Sequence, residues 1–252
     1  MNSGDRTMMR FAKRWRVRLT ASAVPLLALA CLGADCDVET LFSATFESDT
    51  SGFPPASAQT VGTVRVEKGS GTVTVAASVP GGTADKWVRI NHPVAPSNET
   101  SFLIDATRMP GNGTTSLLAT MFIPNPGPRP NPNLARALAT VQFESNLGGG
   151  QAAAFMHLDF MDNGTIRIDD VPSSSFGSFP FNQPFTLAVS NQITPTTGNA
   201  HISLLSPGSG EVDHPITFLG VARSFTTVRF WIGYQWVSSF SVDDLSVLYS
   251  PP

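Results

Sequence analysis

His157-Leu158-Asp159-Phe160-Met161-Asp162-Asn163-Gly164-Thr165-Ile166-Arg167-Ile168 is the stretch that decides the fold. On its first arm His157 and Asp159 alternate with Leu158 and Phe160. On its second arm Arg167 alternates with Ile166 and Ile168. A period of two marks a strand with one buried face, and Asn-Gly supplies the positive-φ pair of a type I′ turn. The stretch therefore reads as an antiparallel hairpin.

The same alternation recurs along the chain, broken by Gly, Pro, Asn and Ser. Further strand candidates precede the hairpin at 39–46, 60–67, 72–77, 86–92, 100–105, 116–123 and 137–144. Others follow it at 185–191, 200–205, 212–218, 228–235 and 240–248. About fourteen short strands at even spacing imply an all-β fold: a two-sheet antiparallel β-sandwich with little or no helix. Composition agrees, since only 14% of residues are charged and 21 glycines and 20 prolines are spread throughout. Abundant Thr, Val and Phe favour pleated, half-buried surfaces over helices. Two stretches read as rim loops. In 124–132 proline stands at every second position, which suits an extended crossover. In 172–184, Phe176, Phe179 and Phe181 stand among serines and read as pins that fix the loop to the core.

The first residues have a different character. Arg6, Arg10, Lys13, Arg14, Arg16 and Arg18 precede an apolar run over 19–30 that ends in Ala28-Leu29-Ala30-Cys31. The run is too short for a bilayer core of about 30 Å, and its order is that of a secretory signal peptide. Ala28-Leu29-Ala30 fits ordinary signal cleavage, whereas Leu27–Cys31 resembles a bacterial lipobox, which implies lipidation of Cys31. Leu32 then favours outer-membrane sorting. The expected organisation is a signal peptide at 1–30, a lipidated or flexible linker at 31–38 and a β-sandwich domain at 39–250. Cys36 is left over if Cys31 is lipidated, or bridges to it in an oxidising compartment if it is not.

This leader hides the charge of the domain. It takes six of the sixteen basic residues and one of the nineteen acids, leaving ten against eighteen, a formal net charge of −8. That sign argues against nucleic acid or anionic lipid as partners, so contact with a membrane is expected only through a lipid on Cys31.

Phe42-Ser43-Ala44-Thr45-Phe46-Glu47-Ser48-Asp49 near the start, and Phe240-Ser241-Val242-Asp243-Asp244-Leu245-Ser246-Val247 at the end, add a resemblance. With the strand pattern, they resemble the concanavalin A-like lectin/glucanase superfamily and jelly-roll carbohydrate-binding modules. The resemblance implies paired terminal strands, a carbohydrate partner and a structural calcium. Fold analogy alone does not license a function.

Three groups of residues carry the chemistry. In the last strand, Phe240 and Val242 share one parity and Leu245, Val247 and Tyr249 the other, so a bulge is expected at Asp243-Asp244. If the end strands pair, Glu47 or Asp49 approaches Asp244, and the resemblance implies that Glu47, Asp49 and Asp244 hold calcium. A solvated acidic turn with a metal-free bulge would leave the same sequence. In 228–235, Arg229, Trp231, Gly233 and Gln235 form a polar row, where a tryptophan suits stacking on a sugar ring and Arg229 and Gln235 suit its hydroxyls. Trp87 repeats the pattern. If neighbouring strands pair, Glu144, His157 and Asp159 join Trp231 on one face, with general acid–base capacity. His92, His201 and His214 read as scattered surface or turn residues.

No G-x-S-x-G, H-E-x-x-H, phosphate loop or C-x-x-C occurs. Residues 230–235 faintly resemble the tyrosine-bearing strand of jelly-roll polysaccharide lyases, but that family's lysine is missing. The leading expectation is an extracytoplasmic sandwich that binds carbohydrate, or another extracellular ligand, without catalysis. The rivals are a polysaccharide lyase or glycosidase, and a structural or adhesive envelope protein with a protein partner.

Overall fold

Alternating apolar residues need a second sheet to bury them, and the chain supplies two. The structure is a computed structural model that describes residues 38–80, 85–93, 98–108, 110–128, 135–146, 152–169, 175–194, 197–205, 207–216, 225–233 and 237–252. They fall within one compact unit, Asp37–Pro252. Residues 1–30, Cys31, Cys36, Tyr234 and Gln235, with the signal-peptide and lipidation expectations that fall on them, lie outside the described residues.

Fifteen strands and, among the described residues, no helix are present. They are β1 (Glu39–Ala44), β2 (Thr63–Glu67), β3 (Thr72–Ala76), β4 (Trp87–His92), β5 (Thr100–Asp105), β6 (Gly113–Phe122), β7 (Ala137–Asn146), β8 (Ala152–Met161), β9 (Thr165–Ile168), β10 (Phe176–Ser178), β11 (Pro184–Ile193), β12 (Gly198–Leu205), β13 (Gly210–Ile216), β14 (Thr227–Ile232) and β15 (Ser238–Ser250). One sheet runs β13-β12-β11-β6-β15-β4-β3, with β1 also paired to β15. The other runs β10-β9-β8-β7-β14-β5-β2. All pairings are antiparallel. This is the expected two-sheet sandwich. The extra strand is β10, which arises within the serine–phenylalanine loop.

The inner faces meet in a dry core. Phe102, Phe143, Phe160 and Phe230 from one sheet, with Phe42, Phe185 and Phe240 from the other, are each at most 1% exposed. Burying such a side chain contributes about 1.5–3 kcal/mol each. Phe179 is buried against Phe160 and Phe185 at ring-centroid distances of 5.4 and 5.5 Å, so the loop is pinned as its sequence implies.

Two local findings refine the sequence reading. Only Gly164 of the Asn163-Gly164 pair has positive φ, at 81°. Gly164 N–H donates to the Met161 carbonyl at 2.9 Å, so the hairpin closes through three residues rather than a type I′ pair. The cause is Asp162. Its carboxylate is buried against Arg136 at 3.0 Å, and its N–H donates to the Arg136 carbonyl, which draws Asp162 into the loop. The second finding is the bulge. The β15–β6 register shifts between Asp243 and Ser246, and Asp244 has φ 48°. Residues 238–242 pair with β4, and beyond the bulge residues 245–249 pair with β1.

At the bulge Asp243 pairs with Thr120, on the row opposite the core-facing Val242 and Met121; it is covered there to 2% exposure, and its Oδ1 has no hydrogen-bond partner. Burial, with the charges of Asp244, Glu47 and Asp85, pushes its pKa up to about 8, against an N–H from Asp244 that favours the carboxylate. Asp244 is also raised, by burial first and then by Asp85 and Glu47.

The sheets also touch at one side. Gly177 (φ 56°) lies against Ser209 and Gly210 so closely that a Cβ there would sit 2.2 Å from the Ser209 carbonyl oxygen. Ser178 and Ser209 exchange backbone hydrogen bonds of 2.7 and 3.0 Å. The segment between β1 and β2 lines two other edges. Gly52 N–H donates to Val75 and Val75 N–H to Phe53, each at 2.8 Å, while Val64 N–H donates to Ser57 at 2.8 Å.

Two outcomes are expected. Gly177→Ala lowers stability by roughly 1–3 kcal/mol in urea unfolding, through backbone strain and the clash with Ser209. Asp243 binds its proton more tightly folded than unfolded, so its contribution is fully present below the ordinary carboxylate pKa. It is lost as pH rises towards about 8. In calcium-free buffer the melting temperature therefore falls between pH 5 and pH 8.5, and Asp243→Asn flattens that slope.

Candidate functional site

The pairing register places the polar residues of the seven-stranded sheet in rows on its outer face. One row runs Glu67, Ser101, Trp231, Thr140, Asp159 and Arg167. The next runs Arg65, Leu103, Arg229, Gln142 and His157. Trp231 is half-buried and stands outside the core cluster, between the buried hydroxyl residues Ser101 and Thr140. Its indole Nε1 is buried without a hydrogen-bond partner. Leu103 is 1% exposed on this outer face, flanked in its row by two arginines whose aliphatic stems can cover it. The structure thus brings Trp231, Arg229, Glu144, His157 and Asp159 to one face, while Gln235 lies outside the described residues.

Arg229 is not free to meet a ligand alone. Its guanidinium stands 3.1 Å from Glu67, 3.2 Å from Glu144 and 3.5 Å from Glu99. Glu144 is 7% exposed and also accepts from Gln142 Nε2 at 2.8 Å. Beside it, Arg65 forms a two-pronged pair with Asp105, at 2.6 and 3.1 Å. Burial opposes the Asp105 charge, but hydrogen bonds from Arg65 and Thr227 hold its carboxyl below the usual range. Charge-assisted pairs of this kind fix side-chain geometry on the sheet face.

His157 sits between two carboxylates. Its Nε2 is 3.5 Å from Asp159 and its Nδ1 is 3.5 Å from Asp169. Asp159 is 4% exposed and accepts from the Thr140 hydroxyl at 2.6 Å. Asp169 adopts φ 52°, a left-handed conformation uncommon outside glycine, and its Oδ1 accepts from the His157 backbone N–H at 2.9 Å. Its Oδ2 lies 3.1 Å from Nε2 of His214, on β13 of the other sheet. Two imidazoles and two carboxylates thus gather at one end of the face. They could hold or pass a proton, or bond sugar hydroxyls.

The sequence reading misses Glu67, Glu99, Arg65, Asp169 and His214 from this face. Asp169 continues the parity of Arg167 and is readable once the hairpin register is known. His214 comes from a different sheet and leaves no local signal. His92 is not a surface residue. It is fully buried, with Nδ1 2.9 Å from the Thr100 hydroxyl, where a strand end packs beneath the turn at Lys68. His201 is an outer-face residue paired with Asp213 and Glu211. Trp87 is 2% exposed against Val79 and Phe122, so it serves packing.

The acidic residues at the chain ends only partly assemble. Glu47, Asp85 and Asp244 each bear on the charge of Asp243. Asp49 does not join them. Its carboxylate accepts from Ala56 N–H at 3.1 Å and Gln59 Nε2 at 3.4 Å, and so fixes the segment after β1. Lys86 Nζ lies 2.6 and 2.7 Å from the carbonyls of Glu47 and Asp49, and Lys86 N–H donates to Glu47 Oε1 at 2.7 Å. Among the described residues, no group of three or more His, Cys, Asp or Glu is arranged to hold a metal ion. Of the expected set Glu47, Asp49 and Asp244, Asp49 is thus engaged by Ala56 and Gln59.

No family model and no curated protein matches the chain. Solved structures do. A carbohydrate esterase, vb_24B_21, from the Shiga toxin-encoding bacteriophage phi24B aligns with TM-score 0.53 at 12% identity, covering 84% of this chain and 99% of that one. Lectin II from Ulex europaeus aligns with TM-score 0.49 at 8% identity, over 85% of this chain and 100% of that one. The metal-free exoplasmic/lumenal domain of VIP36 aligns with TM-score 0.49 at 9% identity, over 84% and 92%. At these identities the likeness is one of fold alone: a two-sheet β-sandwich.

Proposed function

We propose that the outer face of the seven-stranded sheet binds carbohydrate without catalysis, with Trp231 as its platform. The observation that carries the reading is the placement of Trp231. Folding does not require a large aromatic outside the core, in a row otherwise made of hydroxyls and charges. An aromatic ring takes up the apolar C–H face of a sugar, and fixed polar groups around it orient the hydroxyls. Arg229, Glu144, His157 and Asp159 are those groups, with Gln235 assigned from sequence parity. The phage carbohydrate esterase supplies a sandwich of the same fold in a protein that acts on carbohydrate. The basic–apolar–small order up to Cys31 supports an extracytoplasmic, lipid-anchored protein, which also suits a glycan partner.

A second, enzymatic reading has one observation in its favour, the His157–Asp169–His214 cluster beside buried Asp159. A protein that releases reducing or unsaturated ends from polysaccharide, and loses that release on His157→Ala, would replace the binding reading with a glycosidase or lyase.

Calcium is a separate proposal, supported by the partnerless Oδ1 of buried Asp243 amid Glu47, Asp85 and Asp244 rather than by Asp49. Oxygen ligands of this type suit Ca²⁺. Millimolar calcium should then raise the melting temperature, more at pH 8 than at pH 5, and Asp243→Asn should abolish the gain. An unchanged melting temperature removes calcium from the account.

The binding reading is tested by presenting the purified protein and its Trp231→Ala variant to a broad glycan array. Binding to at least one glycan class is expected, weakened roughly tenfold or more in the variant at unchanged melting temperature. Equal binding by both proteins would sink the site.

A further inference from the structure

We infer that this face selects glycans bearing ammonium groups over neutral ones, and rejects carboxylated ones. The inference rests on the reading of Trp231 as a glycan platform and adds the charge of what lies on it. Around Trp231 and Arg229 the face collects Glu67, Glu99, Asp105, Glu144, Asp159 and Asp169, against Arg65, Arg167 and Arg229. Counted over the rows and their margins, six carboxylates stand against three arginines, with His157 and His214 beside them.

Their exposure sharpens the point. The Arg229 side chain is 21% exposed, whereas two of its partners, Glu67 and Glu99, are 46% and 44% exposed. A ligand approaching Trp231 therefore meets carboxylate oxygens before it meets the guanidinium. Arg65 is open at 53%, but it is already bridged by Asp105 and lies 3.9 Å from Glu67. Arg167 Nε is buried. The cations of this face thus serve to hold its carboxylates in place, and the surplus negative charge remains for the ligand. Potentials of one sign over a binding surface attract the opposite charge and repel the same one, at a range set by salt. An ammonium on a hexosamine can bond Glu67 or Glu99 while its ring lies on Trp231. A uronate carboxylate at the same place faces like charge, and the exposed Arg65 is already bridged by Asp105.

The test uses three oligosaccharides of matched length in titration calorimetry at pH 6: a glucosamine oligomer, its N-acetylated counterpart and a galacturonate oligomer. The glucosamine oligomer should bind roughly threefold to tenfold more tightly than the N-acetylated one at low salt, and the galacturonate oligomer least. The gap should shrink in half-molar salt and close in the double variant Glu67→Gln/Glu99→Gln, and Trp231→Ala should weaken binding of each oligomer roughly tenfold or more. Equal affinity for the amino and N-acetylated oligomers, or a preference for galacturonate, overturns the charge selection while leaving Trp231 as a glycan platform. Glucosamine binding that is unweakened in Trp231→Ala is adhesion of a polycation to an acidic protein, and it overturns the inference. Failure of all three oligomers to bind overturns it as well, and the glycan array then decides the platform separately.

Discussion

The structure depends on one strand serving three partners. β15 runs between β6 on one side and both β4 and β1 on the other, and it can do so only by changing phase midway. The bulge at Asp243-Asp244 performs that change. It lets Phe240 and Val242 face the core before it and Leu245, Val247 and Tyr249 after it, although the two sets differ in parity. A strand without the extra residue would turn one set outward and leave half the core open. The cost is a buried carboxyl, Asp243, whose pKa is pushed far above the ordinary range. The local conflict at the bulge is thus the condition for a continuous core.

With the core filled from inside, the outer face of the seven-stranded sheet is released from packing duties. Leu103 and Trp231 apart, its rows hold hydroxyls and interlocked charges. Each arginine of the pair Arg65 and Arg229 is held by more than one carboxylate, and the hydroxyls of Thr227 and Thr140 fix Asp105 and Asp159. Such a network has little freedom to rearrange. A ligand bound there, as proposed, would avoid part of the ordering cost that flexible side chains impose.

The sequence carried much of this in its periodicity. Alternation around His157 and Asp159 assigned them to one face, parity in 228–235 set Trp231 beside Arg229, and the switch between Val242 and Leu245 located the bulge. What periodicity cannot carry is register between strands distant in sequence. Glu67 and Glu99 meet Arg229 only because β5 lies between β2 and β14, and His214 reaches Asp169 from the other sheet. Tertiary pairing also overrode a local signal at Asn163-Gly164, where Arg136 captures Asp162 and lengthens the turn. Trp87 shows the reverse limit. Its parity matches that of Trp231, yet Val79 and Phe122 cover it, and no local pattern distinguishes a covered outer face from an open one.

The contacts at the sheet margins bear on how this domain meets other molecules. β10 and β13, which end their sheets on one side, are joined through Ser178 and Ser209. On the other side, the segment after β1 lies along β3 through Gly52 and Phe53 and along β2 through Ser57. Asp49 holds that segment in place. Unpaired strand margins are the usual template on which one β-protein recruits another, whether as an added strand or as the first layer of an aggregate. Here every terminal strand has backbone groups already engaged. Partners are thereby directed to the broad faces of the sandwich, and crowded copies of the chain are hindered from zipping onto one another.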